Sequence, residues 1–205
     1  MSRYTGPRVK VLRALGLDLP GLSAKSMQER EQPPGQHGAR RGNARKSEFG
    51  LQLLEKQKLR FNYGLSETQF RRVVTDAKKS RGATGEKLVE LLERRLDNLV
   101  FRAGFAPTIP AARQMVTHGH FLLNGRRVNI PSIRLRVGDT FGPREAARKL
   151  DMIRATLAEP PLQRAEWIAF DETSQMARLT RLPGGDSAPF PVDLQRVVEY
   201  YATRM

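Results

Sequence analysis

Apolar residues recur at helical spacing through most of the first half of the chain, and alternate only after residue 120. The clearest stripe lies in residues 66–81, where Phe70, Val73, Val74 and Ala77 share one face and Arg71, Arg72, Lys78 and Lys79 lie mainly off it. Ser66 and Gln69 stand at capping-box spacing, Leu65 and Phe70 are placed for a hydrophobic staple, and Gly82 ends the helix. Upstream, Ser47 predicts the cap of a helix running to Phe61 and closed by Gly64. Downstream, Thr84 predicts the cap of a third helix. Its apolar face (Leu88, Leu91, Leu92, Leu96, Leu99 and Val100) continues until Gly104. A short helix over 110–118 packs Ala112, Met115 and Val116.

The period then changes. "HFLLNGRRVNI" holds Asn124-Gly125 between apolar runs, a strong hairpin signal. In "IRLRVGDTF", Ile133, Leu135 and Val137 alternate with Arg134 and Arg136, which predicts a strand with one core face and one basic face. Residues 145–157 read as helix, 167–170 and 176–182 as strands, and Asp193 as the cap of a closing helix with Leu194, Val197, Val198 and Tyr201 inward. Residues 1–46 show no sustained periodicity. They read as an extended basic arm with one short helix near 23–30, too poor in apolar surface to order itself without a partner. The plan is α+β: an arm, helices, a helix–helix–strand unit with extra strands, and a final helix.

Composition narrows the function. At 205 residues the chain can bury roughly 70% of its unfolded surface. It has no cysteine, which excludes disulfides and thiolate zinc sites. No apolar run suits a signal peptide or a membrane span, so a soluble, cytoplasmic protein is expected. Charge is the dominant feature: 36 Lys and Arg against 21 Asp and Glu, a net of +15. The surplus is +6 over residues 1–50, +5 over 51–104 and +6 over 105–155, and reverses to −2 over 156–205. Residues 32–47 and 98–138 contain no acid at all. A compact fold with this surplus repels itself, and a polyanion relieves it.

Cations scattered over an arm, several helices and a hairpin suit a folded RNA, whose phosphates come from several directions, better than a DNA groove. No long basic amphipathic helix with exposed aromatics points to a membrane. Arg113, Arg126, Arg127, Arg134 and Arg136 are candidates for one cationic face, with arginine suited to phosphate. His118 and His120 form an H-x-H pair that lacks further metal ligands nearby; hydrogen bonding or stacking against RNA, or simple helix termination, accounts for it. In the arm, Pro33-Pro34-Gly35 predicts a stiff turn, Gly38 and Gly42 close backbone approach to phosphates, and Arg40, Arg41, Arg45 and Lys46 charge neutralisation. "RRLDN" (94–98) shares Arg-Leu-Asp with the RLDxxTSG motif of pseudouridine synthases, but an amphipathic helix follows, so Asp97 reads as a surface or salt-bridged residue. No nucleophile triad, phosphate-binding glycine loop or strong carboxylate pair is present, and no enzyme activity is expected.

Several stretches together resemble the bacterial-type S-four family of small-ribosomal-subunit proteins over nearly the whole chain: "RYTGP" (3–7), "PPGQHG" (33–38), "SEFGLQLLEKQKLRFNYGLSETQFRR" (47–72), "TGEKLVELLERRLDNLVFRAGFA" (84–106), "ARQMVTHGHFLLNGRRVNIPS" (112–132) and "VEYYATR" (198–204). The resemblance implies early binding to an rRNA junction that nucleates small-subunit assembly. It also implies contact with a neighbouring small-subunit protein, a place near the path by which mRNA enters, an influence on decoding accuracy and, in some bacteria, repression of the protein's own operon. It implies an rRNA-binding arm (1–46), a helical domain (47–93) completed by the closing helix (193–205), an RNA-binding module of two helices and a curled, mainly antiparallel sheet (94–157), and further strands and loops packed on it (158–192). The candidate contacts are Arg3, Tyr4, His37, Arg40, Arg41, Arg45 and Lys46 in the arm; Lys56, Lys58, Arg60, Arg71 and Arg72 on the helices; and Arg113, His118, His120, Asn124, Arg126, Arg127 and Arg134 in the module. No metal, cofactor or homo-oligomer is implied. Two departures stand out. Val9 and Leu12 occupy positions where many relatives carry zinc-binding cysteines, and Ile109-Pro110 stands where relatives carry an arginine, so that one phosphate contact is either lost or taken over by Arg102.

Overall fold

Capping and apolar spacing build the helices, and the last helix of the chain closes the first ones. The computed structural model describes residues 4–27, 32–36, 38 and 46–202. In order, the elements are α1 (Arg8–Leu15), α2 (Glu48–Asn62), α3 (Glu67–Lys79), α4 (Thr84–Glu93), α5 (Leu96–Arg102), α6 (Ile109–Thr117), β1 (Phe121–Leu123), β2 (Arg126–Val128), β3 (Thr140–Pro143), α7 (Glu145–Arg148), α8 (Asp151–Ala158), β4 (Ile168–Asp171), β5 (Met176–Leu179) and α9 (Leu194–Ala202). The α+β class is the one expected from the pattern.

Ser47 Oγ accepts a hydrogen bond from Gly50 N at the start of α2. Ser66 and Gln69 form both halves of a capping box on α3, whose Phe70, Val73, Val74 and Ala77 are all buried. Asp193 Oδ1 accepts from Arg196 N at the start of α9. Helix α9 packs on α2 and α4, and α3 packs on α4. The buried Tyr201 of α9 sets its ring 5.9 Å from Phe70 and donates its hydroxyl to Glu67.

The strands form one antiparallel sheet in the order β2-β1-β3-β5-β4. The β1–β2 turn is Asn124-Gly125, with φ of 50° and 78°, the two positive values that a tight primed turn requires. Asn124 Oδ1 accepts from Thr140 N and its Nδ2 donates to Asp139, so this side chain braces the turn against β3. Phe105 packs edge-on against Phe121, Phe141 and Phe170, joining helices and sheet in one hydrophobic core.

Four expectations are corrected. The single helix expected from Thr84 to Gly104 is two, α4 and α5. At Arg95 the backbone turns extended (ψ 138°), and residues 131–135 take the released groups: Leu96 N donates to Ile133 O (2.8 Å), Asp97 N to Pro131 O (3.0 Å), and Leu135 N to Arg94 O (2.9 Å). For the same reason residues 133–137 form no strand; only an isolated bridge joins Arg134 to Arg95, and Val137 is exposed. The helix expected over 145–157 breaks at Lys149-Leu150 into α7 and α8.

The N-terminal segment also departs from expectation. Its helix is α1, not 23–30: residues 23–27 are not helical, and 28–30 lie outside the described residues. Val11, Leu12, Leu19 and Leu22 are buried in the main core. Gly21 N donates to Asn62 Oδ1 and Gly21 O accepts from Ile109 N, both at 2.9 Å, which ties this segment to the end of α2 and the start of α6. A Cβ on Gly21 would stand 2.6 Å from Ile109 Cδ1 and 2.8 Å from Asn62 O, so only glycine fits. Residues 8–22 are therefore ordered by the protein's own core, with apolar positions too irregular to show a period. Gly38 is likewise explained within the chain: its N–H donates to Gly35 O, and an added Cβ would collide with the Pro33 carbonyl.

Candidate nucleic-acid interface

The acid-free stretch from 98 to 138 folds into α5, α6, the β1–β2 hairpin and the segment leading to β3. The hairpin register sets Arg126 opposite Leu123 and Arg127 opposite Leu122, and both arginines are exposed. His118, the cap residue that ends α6, is exposed, and Arg127 Nη2 reaches its carbonyl at 3.5 Å. Arg134 is partly exposed and pairs with Asp76 of α3 at 2.7 Å. That contact holds α3 beside the module. Arg72 stands one turn before Asp76 on the same helix, so the exposed Arg72 adjoins the module's cations, whereas the exposed Arg71 lies toward Tyr201 of α9.

Other candidates are turned inward. Arg113 is withdrawn from the face: its Nε and Nη2 donate to Asp97 Oδ2 (2.9 and 2.8 Å), Nη1 to Gly64 O (2.5 Å) and Nη2 to Tyr63 O (2.9 Å). Lys56 is also withdrawn, being 4% exposed, ion-paired with Glu67 at 2.7 Å and set over the Tyr200 ring. Lys58 pairs with Glu55 at 2.6 Å, while Arg60 donates to Gln57 and lies 4.4 Å over the Phe61 ring. Asn124 serves the hairpin turn. Arg102 cannot replace a missing phosphate contact, because it is 8% exposed, 3.4 Å from Glu93 and close over Trp167. Tyr4 is exposed, with its ring edge-on to Phe61, and Lys46 is exposed. Arg3, His37, Arg40, Arg41 and Arg45 lie outside the described residues.

Asp97 is fully sealed and ion-paired on both sides, with Arg95 at 2.7 Å and Arg113 at 2.8 Å. It cannot present a carboxylate to a substrate base. Beside it, Glu93 is sealed as well. Tyr63 Oη donates to Glu93, Asn98 Nδ2 donates to its Oε2 at 2.9 Å, and Arg102 lies opposite. Burial raises the Glu93 carboxyl above its ordinary range, against the pull of Arg102 and of the hydrogen bonds from Tyr63 and Asn98. These two networks join the end of α2, the α4–α5 break and α6. No sequence signal marks them, since their members are ordinary charged residues that find one another only on folding.

His118 and His120 lie with ring centroids 6.0 Å apart. Burial, then the nearby Arg144, His118 and Arg127, hold the His120 imidazole below its ordinary pKa. Arg144 thus joins this corner, although it falls just outside the acid-free window and went unmarked in the sequence. Among the described residues, no group of three or more His, Asp or Glu is placed to hold a metal ion.

Fold and face together define a strongly basic α+β protein whose cations gather around a helix–helix–hairpin module. Residues 3–93 match the family described as ribosomal protein S4/S9 N-terminal domain, and residues 94–141 match the S4 domain. The chain is 62% identical over 205 residues, all of both chains, to small ribosomal subunit protein uS4 of Methylobacillus flagellatus. It is 58% identical, again over the full length of both, to small ribosomal subunit protein uS4B of Nitrosomonas europaea. Over 203 residues, 98% of this chain and 100% of the relative, it is 49% identical to uS4 of Brevibacillus brevis. The chain belongs to the S4 family of ribosomal proteins.

Proposed function

We propose that this chain is a structural, non-enzymatic component of the small ribosomal subunit in the cytoplasm, and that it holds small-subunit rRNA by phosphate neutralisation and shape recognition. The carrying observation is the pair of exposed cations Arg126 and Arg127 on the hairpin, with the exposed His118 at the end of α6, within 41 residues free of acid. Arg72 extends the face along α3, Arg71 adds a cation on another side of that helix, and Arg134 adds to the face while pairing with Asp76. Arg3, Tyr4, His37, Arg40, Arg41, Arg45 and Lys46 are further rRNA contacts from the N-terminal segment. The working division is a basic N-terminal segment (1–46), a helical part (47–93 with 193–205), the RNA-binding module (94–157) and the strands that follow (158–192). Family membership supports the finer reading: early binding at an rRNA junction, contact with neighbouring small-subunit proteins near the path of mRNA, and a contribution to decoding accuracy.

The test is salt dependence with charge reversal. If about eight phosphates are contacted, log K for a small-subunit rRNA fragment falls against log salt with a slope of about −6 to −7, using ~0.7–0.9 per phosphate. A slope near −1 rejects the reading. Reversal of Arg126 and Arg127 to Glu is expected to abolish most of that binding while circular dichroism stays unchanged and the unfolding midpoint does not fall. Unaltered binding removes the hairpin from the interface.

A further inference from the structure

One groove beside the cationic face does not fit phosphate binding alone. It lies between α6 and the start of α8 and encloses about 260 Å³. That is below the ~300 Å³ floor typical of pockets for drug-sized ligands, and suits a single planar ring system. One wall is a single face of α6, where Ala111, Gln114, Met115 and His118 recur at spacings of three and four. The other wall is Leu150, Asp151 and Met152. Leu150 and Met152 are among the few large apolar side chains left exposed, at 37% and 47%. They stand beside cations rather than within a broader apolar surface. Arg144 N donates to His120 O at 2.9 Å and the Arg127 guanidinium lies over Gly119, so both arginines adjoin His120, which also lines the groove. His120 Nδ1, on a residue lining the groove, is buried without a hydrogen-bond partner among the described residues.

We infer that this groove receives one unpaired guanine base of RNA, with the flanking phosphates on Arg127 and Arg144. The proposal rests on the rRNA-binding reading above and specifies what one part of that surface recognises. Unpaired bases are read by splaying out, stacking on histidine or aromatic faces and hydrogen bonding on their edges. His118 supplies the stacking face, and the Met115 and Met152 thioethers supply polarizable contacts to an aromatic ring. Asp151 decides the base. A carboxylate near RNA is repelled by phosphates unless it meets hydrogen-bond donors, and an ionised carboxylate only accepts. The Watson–Crick edge of guanine offers two adjacent donors, N1–H and N2–H, that match its two oxygens; adenine and cytosine offer one amino group there and uracil one imino group. An apolar protein side chain would use Leu150 and Met152 but would leave Asp151, His120 and the arginine rim unmatched.

The chain has three histidines, so imidazole resonances report the site directly, with His37 as an internal control. Full-length protein is titrated with the pentanucleotides UUGUU, UUAUU and UUUUU. The expected result is that UUGUU moves the His118 and His120 signals and not that of His37, and binds about tenfold more tightly than UUUUU, the scale of one good bidentate contact. Asp151→Asn is expected to remove that preference while leaving the salt slope for an rRNA fragment unchanged. Equal affinity for the three oligonucleotides, a preference that survives Asp151→Asn, or His118 and His120 shifts produced by small-subunit proteins but by no oligonucleotide, each overturns the proposal. Loss of rRNA-fragment binding in the unmodified protein overturns the parent reading instead, so the two failures are separable.

Discussion

Glu93 is a carboxylate with no exposure to solvent, and burial sets its behaviour. Burial raises its pKa, while Arg102, Tyr63 and Asn98 pull the other way without cancelling the rise. A folded-state pKa above the unfolded one means the group's stabilising contribution is complete below the unfolded value and is lost as pH climbs through the folded one. Urea denaturation from pH 4 upward is therefore expected to show a decline in unfolding free energy that begins in the ordinary carboxylate range, and Glu93→Gln should flatten it. A variant with the same slope as the unmodified chain contradicts this assignment. Asp97 is a different case, a sealed charge already matched by two guanidinium groups. Asp97→Ala strands Arg95 and Arg113, and is expected to cost about 3–5 kcal/mol of stability in the same assay, since removing one partner leaves buried charge uncompensated. A cost below about 1 kcal/mol would mean that solvent reaches the pair and screens it.

At the scale of elements, stability and legibility have a common origin: local signals hold where a residue's partners lie within a turn or two of it. The α3 capping box is such a case. Ser66→Ala removes the acceptor for Gln69 N and is expected to lower stability by about 1 kcal/mol, seen as a lower thermal midpoint with unchanged helix content. The same locality made α2, α3, α6, the Asn124-Gly125 hairpin and α9 legible in the sequence. It also explains what was not. The helix break at Arg94-Arg95 depends on backbone bonds to residues 131–135, nearly forty positions away, while every side chain of α5 is buried. The polar residues Asp97, Asn98 and Arg102 of α5 are buried with the apolar ones, and no Gly or Pro marks the break. Residues 8–22 dock through the buried Val11, Leu12, Leu19 and Leu22, the partly buried Leu15 and Leu17, and one glycine whose partners are on α2 and α6. Within the candidate face, the hairpin arginines could be read from the turn that exposes them. Lys56 and Arg113 could not, because their positive charge is the same whether a phosphate or a buried carboxylate lies opposite.

For the molecule as a whole, a net charge of +15 that is absent from the last quarter of the chain sets two responses to salt with opposite signs. In the free protein, like charges on the cationic face repel one another, at a distance that salt controls: the screening length shrinks from about 10 Å at 0.1 M to about 3 Å at 1 M. The sealed pairs around Asp97 and Glu93 are shielded from that change, so what salt mainly removes is surface repulsion. The thermal midpoint of the free protein is therefore expected to rise by a few degrees as KCl goes from about 0.1 to 1 M, by relief of self-repulsion. Over the same range the affinity for an rRNA fragment is expected to fall by several powers of ten, because each phosphate contact loses the advantage of counterion release. Replacing Arg126 and Arg127 with Glu should shrink both responses together, since one surplus drives both. If salt leaves the free protein's midpoint unchanged while RNA binding still collapses, the cations are spread too thinly to repel one another, and the face exists only when RNA gathers it.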